Sequence, residues 1–545
     1  MNKSPRRSKP TPLLLLIVLL VSLSTAAYGN NNNKNSTNNN KINTTTSLAA
    51  TETCPETCPA TETCDQITFS PDVTTVTAGD SDDSIDIEMT AFDCNGNEIT
   101  PSTSNPLHVN VYGAPTGVIT DTITSGSTFT FSYNGAAFPN NISVNAWITD
   151  QTAGAAIGQS AIGQTQILLD EPPSTFGSVN YSVPLISTLP NALKIKGAVG
   201  YLNASGANSN LNTYTIDTGS LGTIVTASDL PSSDGVNTLV IGPGSPGAKC
   251  YNSSNNAFFG NYYLAPVDIQ VTDGGSTTSI RTNPLIVLAV NQFCKVENCK
   301  TLTKITSTCT SSVDFHYMGV GFDRGSTAPG DLFSSPTANA FLHVTDANNG
   351  TDISPGYILS ANAVTLGINS TTGFNTIPLT ADTSVPGDWT PQCACYSFPG
   401  LTAPNQFCGT GLLDVGITEM FIDLPFAQRP ANSFENAVIN GVVKDDVVPA
   451  HLTGGMNVLM APDDGTGACG SPAASYSFET VQPPTSPTGP APTYSQWIDT
   501  TKTGSIFVNT GRDPLKCYNY LFAAQLGQVG FQKVSPEPAG CSGAN

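Results

Sequence analysis

The sequence predicts a mainly β protein, and two observations carry that expectation. Charged residues make up only 11% of the 545 residues, while Gly (49) and Pro (40) are plentiful, a profile that suits short strands joined by turns. Alternating runs such as Asp86-Ile87-Glu88-Met89-Thr90 and His108-Val109-Asn110-Val111-Tyr112 recur, and no long stretch keeps a 3.6-residue apolar period.

The chain opens with a targeting pattern over residues 1–29. Lys3, Arg6, Arg7 and Lys9 form a basic start. Leu13 to Leu23 is apolar apart from Ser22, and Ala27-Tyr28-Gly29 offers a cleavage site. The apolar run is short for a bilayer core of ~30 Å. A cleaved signal peptide is therefore expected, with a retained anchor as the alternative. Cleavage leaves no integral membrane span, and the protein is expected outside the cytoplasm: secreted, periplasmic or at the cell surface.

Residues 30–65 read as an Asn/Thr-rich disordered tether carrying Cys54, Cys58 and Cys64, because they offer too little apolar surface to bury a core. Residues 66–170 read as a β-sandwich, with strand-like runs at regular spacing and Asp93-Cys94-Asn95-Gly96-Asn97 as a tight-turn signal. The stretch Ile87–Ile99 resembles bacterial immunoglobulin-like modules of surface proteins, which implies a spacer or a binding module. Glu171-Pro172-Pro173-Ser174 marks a linker at 171–175. The β-rich remainder is too long for one small sandwich and divides into two halves, at 176–385 and 386–540. A Pro-rich loop at Gln482–Pro492 interrupts the second.

The net charge of −21 disfavours nucleic-acid and anionic-lipid partners. Fourteen cysteines in an exported chain point to disulfides. Four histidines, at 108, 316, 343 and 451, neighbour none of the cysteine groups, so no metal site is expected. Cys294 and Cys299 are close enough in sequence to close a small loop, although spacing alone does not assign pairing.

Chemistry is carried by Tyr214-Thr215-Ile216-Asp217-Thr218-Gly219-Ser220-Leu221, an apolar strand running through Asp-Thr-Gly-Ser into apolar residues. A carboxylate that must meet a partner at a sharp turn needs glycine for close backbone approach, and hydroxyls to hold it. A related loop, Leu412-Leu413-Asp414-Val415-Gly416-Ile417, follows 197 positions later. Each is followed by a Gly-containing strand, Tyr317-Met318-Gly319-Val320-Gly321 and Ile506-Phe507-Val508-Asn509-Thr510-Gly511. The stretch Tyr518–Phe531 reads as a hairpin.

These segments resemble the pepsin-like aspartic peptidases, as a divergent bacterial-type member. The resemblance implies a bilobal all-β domain with Asp217 and Asp414 as the catalytic pair, one from each lobe. Thr218, Gly219, Ser220 and Gly416 become the supporting loop residues, and Tyr251, near Asn255-Asn256, the tyrosine of a flap over a peptide-binding cleft. It further implies a monomeric endopeptidase that takes peptide or protein substrates and needs no cofactor. Val415 and Ile417 depart from the family by lacking the hydroxyls expected there. A non-catalytic surface binding or adhesion protein on the same scaffold is the alternative reading.

Overall fold

In the computed structural model the described residues run from 66 to 541. Outside them lie residues 1–65 and 542–545, the loops 113–118, 133–140, 150–159, 201–210, 231–237, 240–246, 325–330, 401–405, 425–433, 480–491 and 499–505, and shorter breaks. The signal segment, the tether with its cysteines, the turn at 93–97, the 171–175 linker and most of the Pro-rich loop fall among these. Strands dominate the described residues, as expected, and the helical segments there are 3-10 turns of three or four residues. No described helix is long and apolar enough to cross a membrane.

Residues 66–170 contribute nine strands joined in one pairing network. Ser84–Phe92 alternates as the sequence suggests, with Ile87, Met89 and Ala91 buried. Gln66–Ser70 connects the network by pairing antiparallel with Ser84–Phe92 and parallel with Ser160–Asp170.

The rest of the chain repeats one topological unit. In the first copy, Asn212–Asp217 pairs antiparallel with Lys194–Val199 and runs parallel to Tyr317–Val320. Leu221–Thr226 lies on the other side of Tyr317–Val320 and runs parallel to Leu285–Asn298. In the second, Gln406–Leu412 pairs antiparallel with Cys393–Ser397 and parallel with Phe507–Asn509. Met420–Asp423 flanks Phe507–Asn509 and runs parallel to Ser495–Ile498. Tyr317–Val320 and Phe507–Asn509 thus each wedge between the two arms of an aspartate loop. Leu221–Val225 is buried at every position, as a strand covered on both faces requires.

Six antiparallel strands join the copies, in the order Tyr181–Pro184, Ala363–Leu366, Tyr357–Leu359, Tyr518–Ala523, Gln528–Lys533 and Asn375–Pro378. The C-terminal hairpin forms as expected, and its Phe522 stacks on Phe322 of the first copy at 4.7 Å. One continuous apolar core runs through both copies and this sheet. The segment between the copies is fixed by Asp388, whose carboxylate accepts the N–H groups of Asp323 (3.0 Å) and Trp389 (2.9 Å). Burial, and then the nearby Asp323 and Asp382 charges, push Asp388 up to about 6 against those hydrogen bonds.

Five disulfides use all ten cysteines of the repeated region: Cys250–Cys299, Cys294–Cys309, Cys393–Cys469, Cys395–Cys408 and Cys517–Cys541. The short Cys294–Cys299 loop is not formed. Cys294 lies in the extended strand Leu285–Asn298, where residues five apart stand ~16 Å from each other, beyond the reach of a disulfide.

Candidate active site

The two aspartates emerge from the ends of strands that the core holds in place. Tyr214 and Ile216 anchor the first and are fully buried. Leu412 and Leu413 anchor the second. The loops then meet face to face, with Asp217 and Asp414 both buried (4% and 7% exposed) and their carboxyls close enough to couple. Glycine is obligatory at the meeting point. A Cβ on Gly219 would lie 2.4 Å from Asp414 Oδ2, and one on Gly416 would lie 2.4 Å from Asp217 Oδ1 and 3.0 Å from Asp414 Oδ1.

The first loop supports its own carboxylate. Gly219 N–H donates to Asp217 Oδ1 at 2.7 Å, and the Ser220 hydroxyl donates to Oδ2 at 2.6 Å. Thr218 reaches across the junction, donating to Leu413 C=O (2.5 Å) and accepting from Val415 N–H (3.0 Å). Val415 is fully buried and has no hydroxyl with which to return the contact.

The second loop keeps only one local donor, Gly416 N–H to Asp414 Oδ1 at 2.9 Å. Its other support comes from the partner strand and the turn after it, which sequence reasoning missed. Asn509 Nδ2 donates to Asp414 Oδ2 at 2.8 Å. Thr510 donates to Leu412 C=O through both its N–H (2.9 Å) and its hydroxyl (3.1 Å). The Arg512 guanidinium donates to the carbonyls of Ile417 (2.9 Å) and Gly416 (3.1 Å), and its Nη1 is buried without a hydrogen-bond partner. One signal for this lay in the sequence: Asn509 interrupts the apolar run Ile506-Phe507-Val508 beside an aspartate loop.

Tyr251 comes to the same place. It ends the strand Gly247–Tyr251, its ring packs edge-on against Phe258 and Tyr317 at 5.8 Å each, and its hydroxyl is buried beside Ser220, out of normal hydrogen-bond geometry. Stacking continues from Tyr317 to Phe315 and from Phe315 to Phe258, giving an aromatic wall next to the carboxyl pair. Behind Tyr251, Lys249 and Asp331 form a buried ion pair at 3.0 Å.

Electrostatics couple the pair. Burial, and then the charge of Asp217, push the Asp414 carboxyl well above the usual carboxylate range, while Asn509 and Gly416 pull it back. Burial and the Asp217 charge also raise the Tyr251 phenol. Two ionised carboxyls so placed repel each other, which disfavours the doubly charged pair. The sulfurs of Cys393, Cys395 and Cys469 lie within 4.8 Å of one another, but they are committed to two disulfides.

No protein-family model matches the chain, and no curated protein does. Among solved structures the chain is similar to that of an aspartic proteinase from Irpex lacteus, at 15% identity and a TM-score of 0.39, over 67% of this chain and all of that one. A likeness at that level leaves the family undecided, and the functional reading rests on the geometry of the site itself.

Proposed function

We propose that this chain is an exported, pepsin-like aspartic endopeptidase, in which Asp217 and Asp414 hydrolyse peptide bonds with an activated water. The observation that carries the reading is the buried contact of two carboxyls from topologically equivalent loops, each loop bearing a glycine that a side chain would drive into the opposite carboxylate. A pair sharing one proton supplies both halves of the chemistry. The ionised member takes a proton from water as the water oxygen bonds to the scissile carbon. The protonated member gives its proton to the carbonyl oxygen, and a neutral tetrahedral diol results. In the collapse one diol hydroxyl gives its proton to the ionised member and re-forms the carbonyl as the C–N bond breaks, and the amine leaves with the proton of the other member.

Five disulfides support an oxidising compartment, and the leader-like start of the sequence agrees with it. Tyr251 and the aromatic wall beside it would contact the substrate's side chains next to the scissile bond. Residues 66–170 are assigned as a separate immunoglobulin-like spacer ahead of the peptidase region.

The test is a digest of a denatured protein and of a peptide library between pH 3 and pH 7, with wild type, Asp217→Asn and Asp414→Asn. Cleavage at acid pH, lost in both variants, is expected. Folded wild type that cleaves nothing at any pH would overturn the reading in favour of a binding protein on this scaffold.

A further inference from the structure

The four carboxyl oxygens of the pair are not held alike. The two Oδ1 atoms each accept an N–H from the glycine two residues on. The two Oδ2 atoms face different chemistry: Ser220 hydroxyl for Asp217, Asn509 amide for Asp414. Ser220 stands three residues after its aspartate. Ile417 stands at the same place after Asp414 and carries no polar atom in its side chain, and the donor comes instead from a strand 95 residues away.

The replacement changes what the oxygen can do. A hydroxyl donates to a carboxylate, and on protonation it can turn and accept from the acid O–H; an amide NH2 only donates. Asn509 cannot present its own oxygen by flipping, because Gly511 N–H donates to Asn509 Oδ1 at 3.0 Å and fixes the amide. Asn509 is also buried (7% exposed), so no bulk water stands in for the lost acceptor. A proton on Asp414 Oδ2 would point an O–H at an N–H.

We propose that Asn509 is a positioning residue that keeps the shared proton off Asp414 Oδ2 and leaves it to the Oδ1 side, where the two carboxyls meet, or to Asp217 Oδ2. Ser220 serves the complementary role, since it can follow Asp217 Oδ2 through both protonation states. What this proton does in turnover rests on the peptidase reading; its position is a property of the folded protein that is measured without substrate.

Two measurements test it. Neutron diffraction from wild-type crystals grown near pH 5 should find the shared deuteron on Asp217 Oδ2 or between the two Oδ1 atoms; a deuteron on Asp414 Oδ2 overturns the proposal. Carbon-13 NMR of protein labelled at aspartate carboxyls should move the upper ionisation of the pair up by about one pH unit or more in Asn509→Leu, the shift expected for losing a hydrogen bond to a charged group. Adding Ile417→Ser to that variant should bring it back, by placing a hydroxyl where Ser220 stands in the other loop. A folded Asn509→Leu protein whose pair titrates as in wild type overturns the proposal. If that variant does not fold, the neutron measurement still decides. Wild type that titrates as expected but cleaves nothing would sink the peptidase reading and leave the role of Asn509 standing.

Discussion

The two aspartate loops have the same strand topology and different hydrogen-bond economies. The first is self-contained: Gly219 and Ser220 hold Asp217 from within the loop, and Thr218 supplies the contacts across the junction. The second has Val415 and Ile417 at the equivalent places, and draws its support from Asn509, Thr510 and Arg512 on the wedged strand and the turn that follows. The difference teaches that the fold demands satisfied backbone and carboxyl groups at this junction, and does not prescribe which residues satisfy them. Burial leaves no solvent to take over, so an unmet donor or acceptor costs about 1–3 kcal/mol.

Removing either carboxyl breaks the comparison most severely. Asp217→Asn and Asp414→Asn are each expected to abolish cleavage by at least three orders of magnitude, as the loss of one member of a unit that shares a proton should, read by initial rates at pH 4. Loss in both is the expected outcome; activity that persists in either variant would mean that cleavage does not need both carboxyls.

The next largest effect separates the halves by their cross-junction contacts. Thr218→Val removes the donor to Leu413 C=O and the acceptor for Val415 N–H, and should destabilise the protein by about 2–3 kcal/mol in urea unfolding. Val415→Thr should change stability by less than about 1 kcal/mol and leave activity intact or raised, if its hydroxyl returns the contact across the junction and so offsets its burial. A Val415→Thr cost as large as that of Thr218→Val would mean that the second position cannot accept a hydroxyl.

Arg512→Met tests whether the second loop depends on its distant clamp. The variant loses the guanidinium donors to Gly416 and Ile417 but also removes a buried charge with an unpaired Nη1, so the net loss of stability should be modest, about 1–2 kcal/mol. A lower kcat with an unchanged KM should accompany it, because the clamp acts on Asp414 and not on bound substrate.

A further effect lies between the copies and sets a pH window. Asp388 is raised in the folded state to about 6 from an ordinary value of 3.8, so the folded protein binds its proton more tightly than the unfolded chain. Its contribution is fully present below about pH 4 and is lost as pH rises through 6, on the order of 3 kcal/mol at most. Wild-type Tm should fall from pH 4 to pH 7, and the fall should be smaller in Asp388→Asn. A Tm difference unaffected by the substitution would place the pH dependence elsewhere.

Much of this site was legible in the sequence because it is local. Asp217, Thr218, Gly219 and Ser220 are consecutive, Gly416 follows Asp414 by two, and the partner strands announce themselves as apolar runs ending in glycine. The C-terminal hairpin is two apolar-rich runs, Tyr518–Ala523 and Gln528–Lys533, about a turn. Asn509 and Arg512 escaped because their role is a contact over about 95 residues, and neither residue type is unusual near a turn. Disulfide pairing escaped for the same reason. Tyr251 was found by its turn chemistry, but its seat against Phe258 and Tyr317 depends on a strand register that spacing does not reveal.

That register has a mechanical consequence. The strand Asn256–Ala265 pairs with Gly247–Tyr251 on one side and along its whole length with Leu285–Asn298 on the other. Its tip is held too, with Val296 N–H donating to Asn255 C=O and Cys250 joined to Cys299. Lifting this hairpin as a unit would break its long ladder with Leu285–Asn298 and is opposed by the Cys250–Cys299 link. If the chain is a peptidase, access to the carboxyl pair would come instead from the two copies rocking about their six-stranded joint, a microsecond-to-millisecond motion. A slit opened in that way would admit an extended strand and turn away a folded surface.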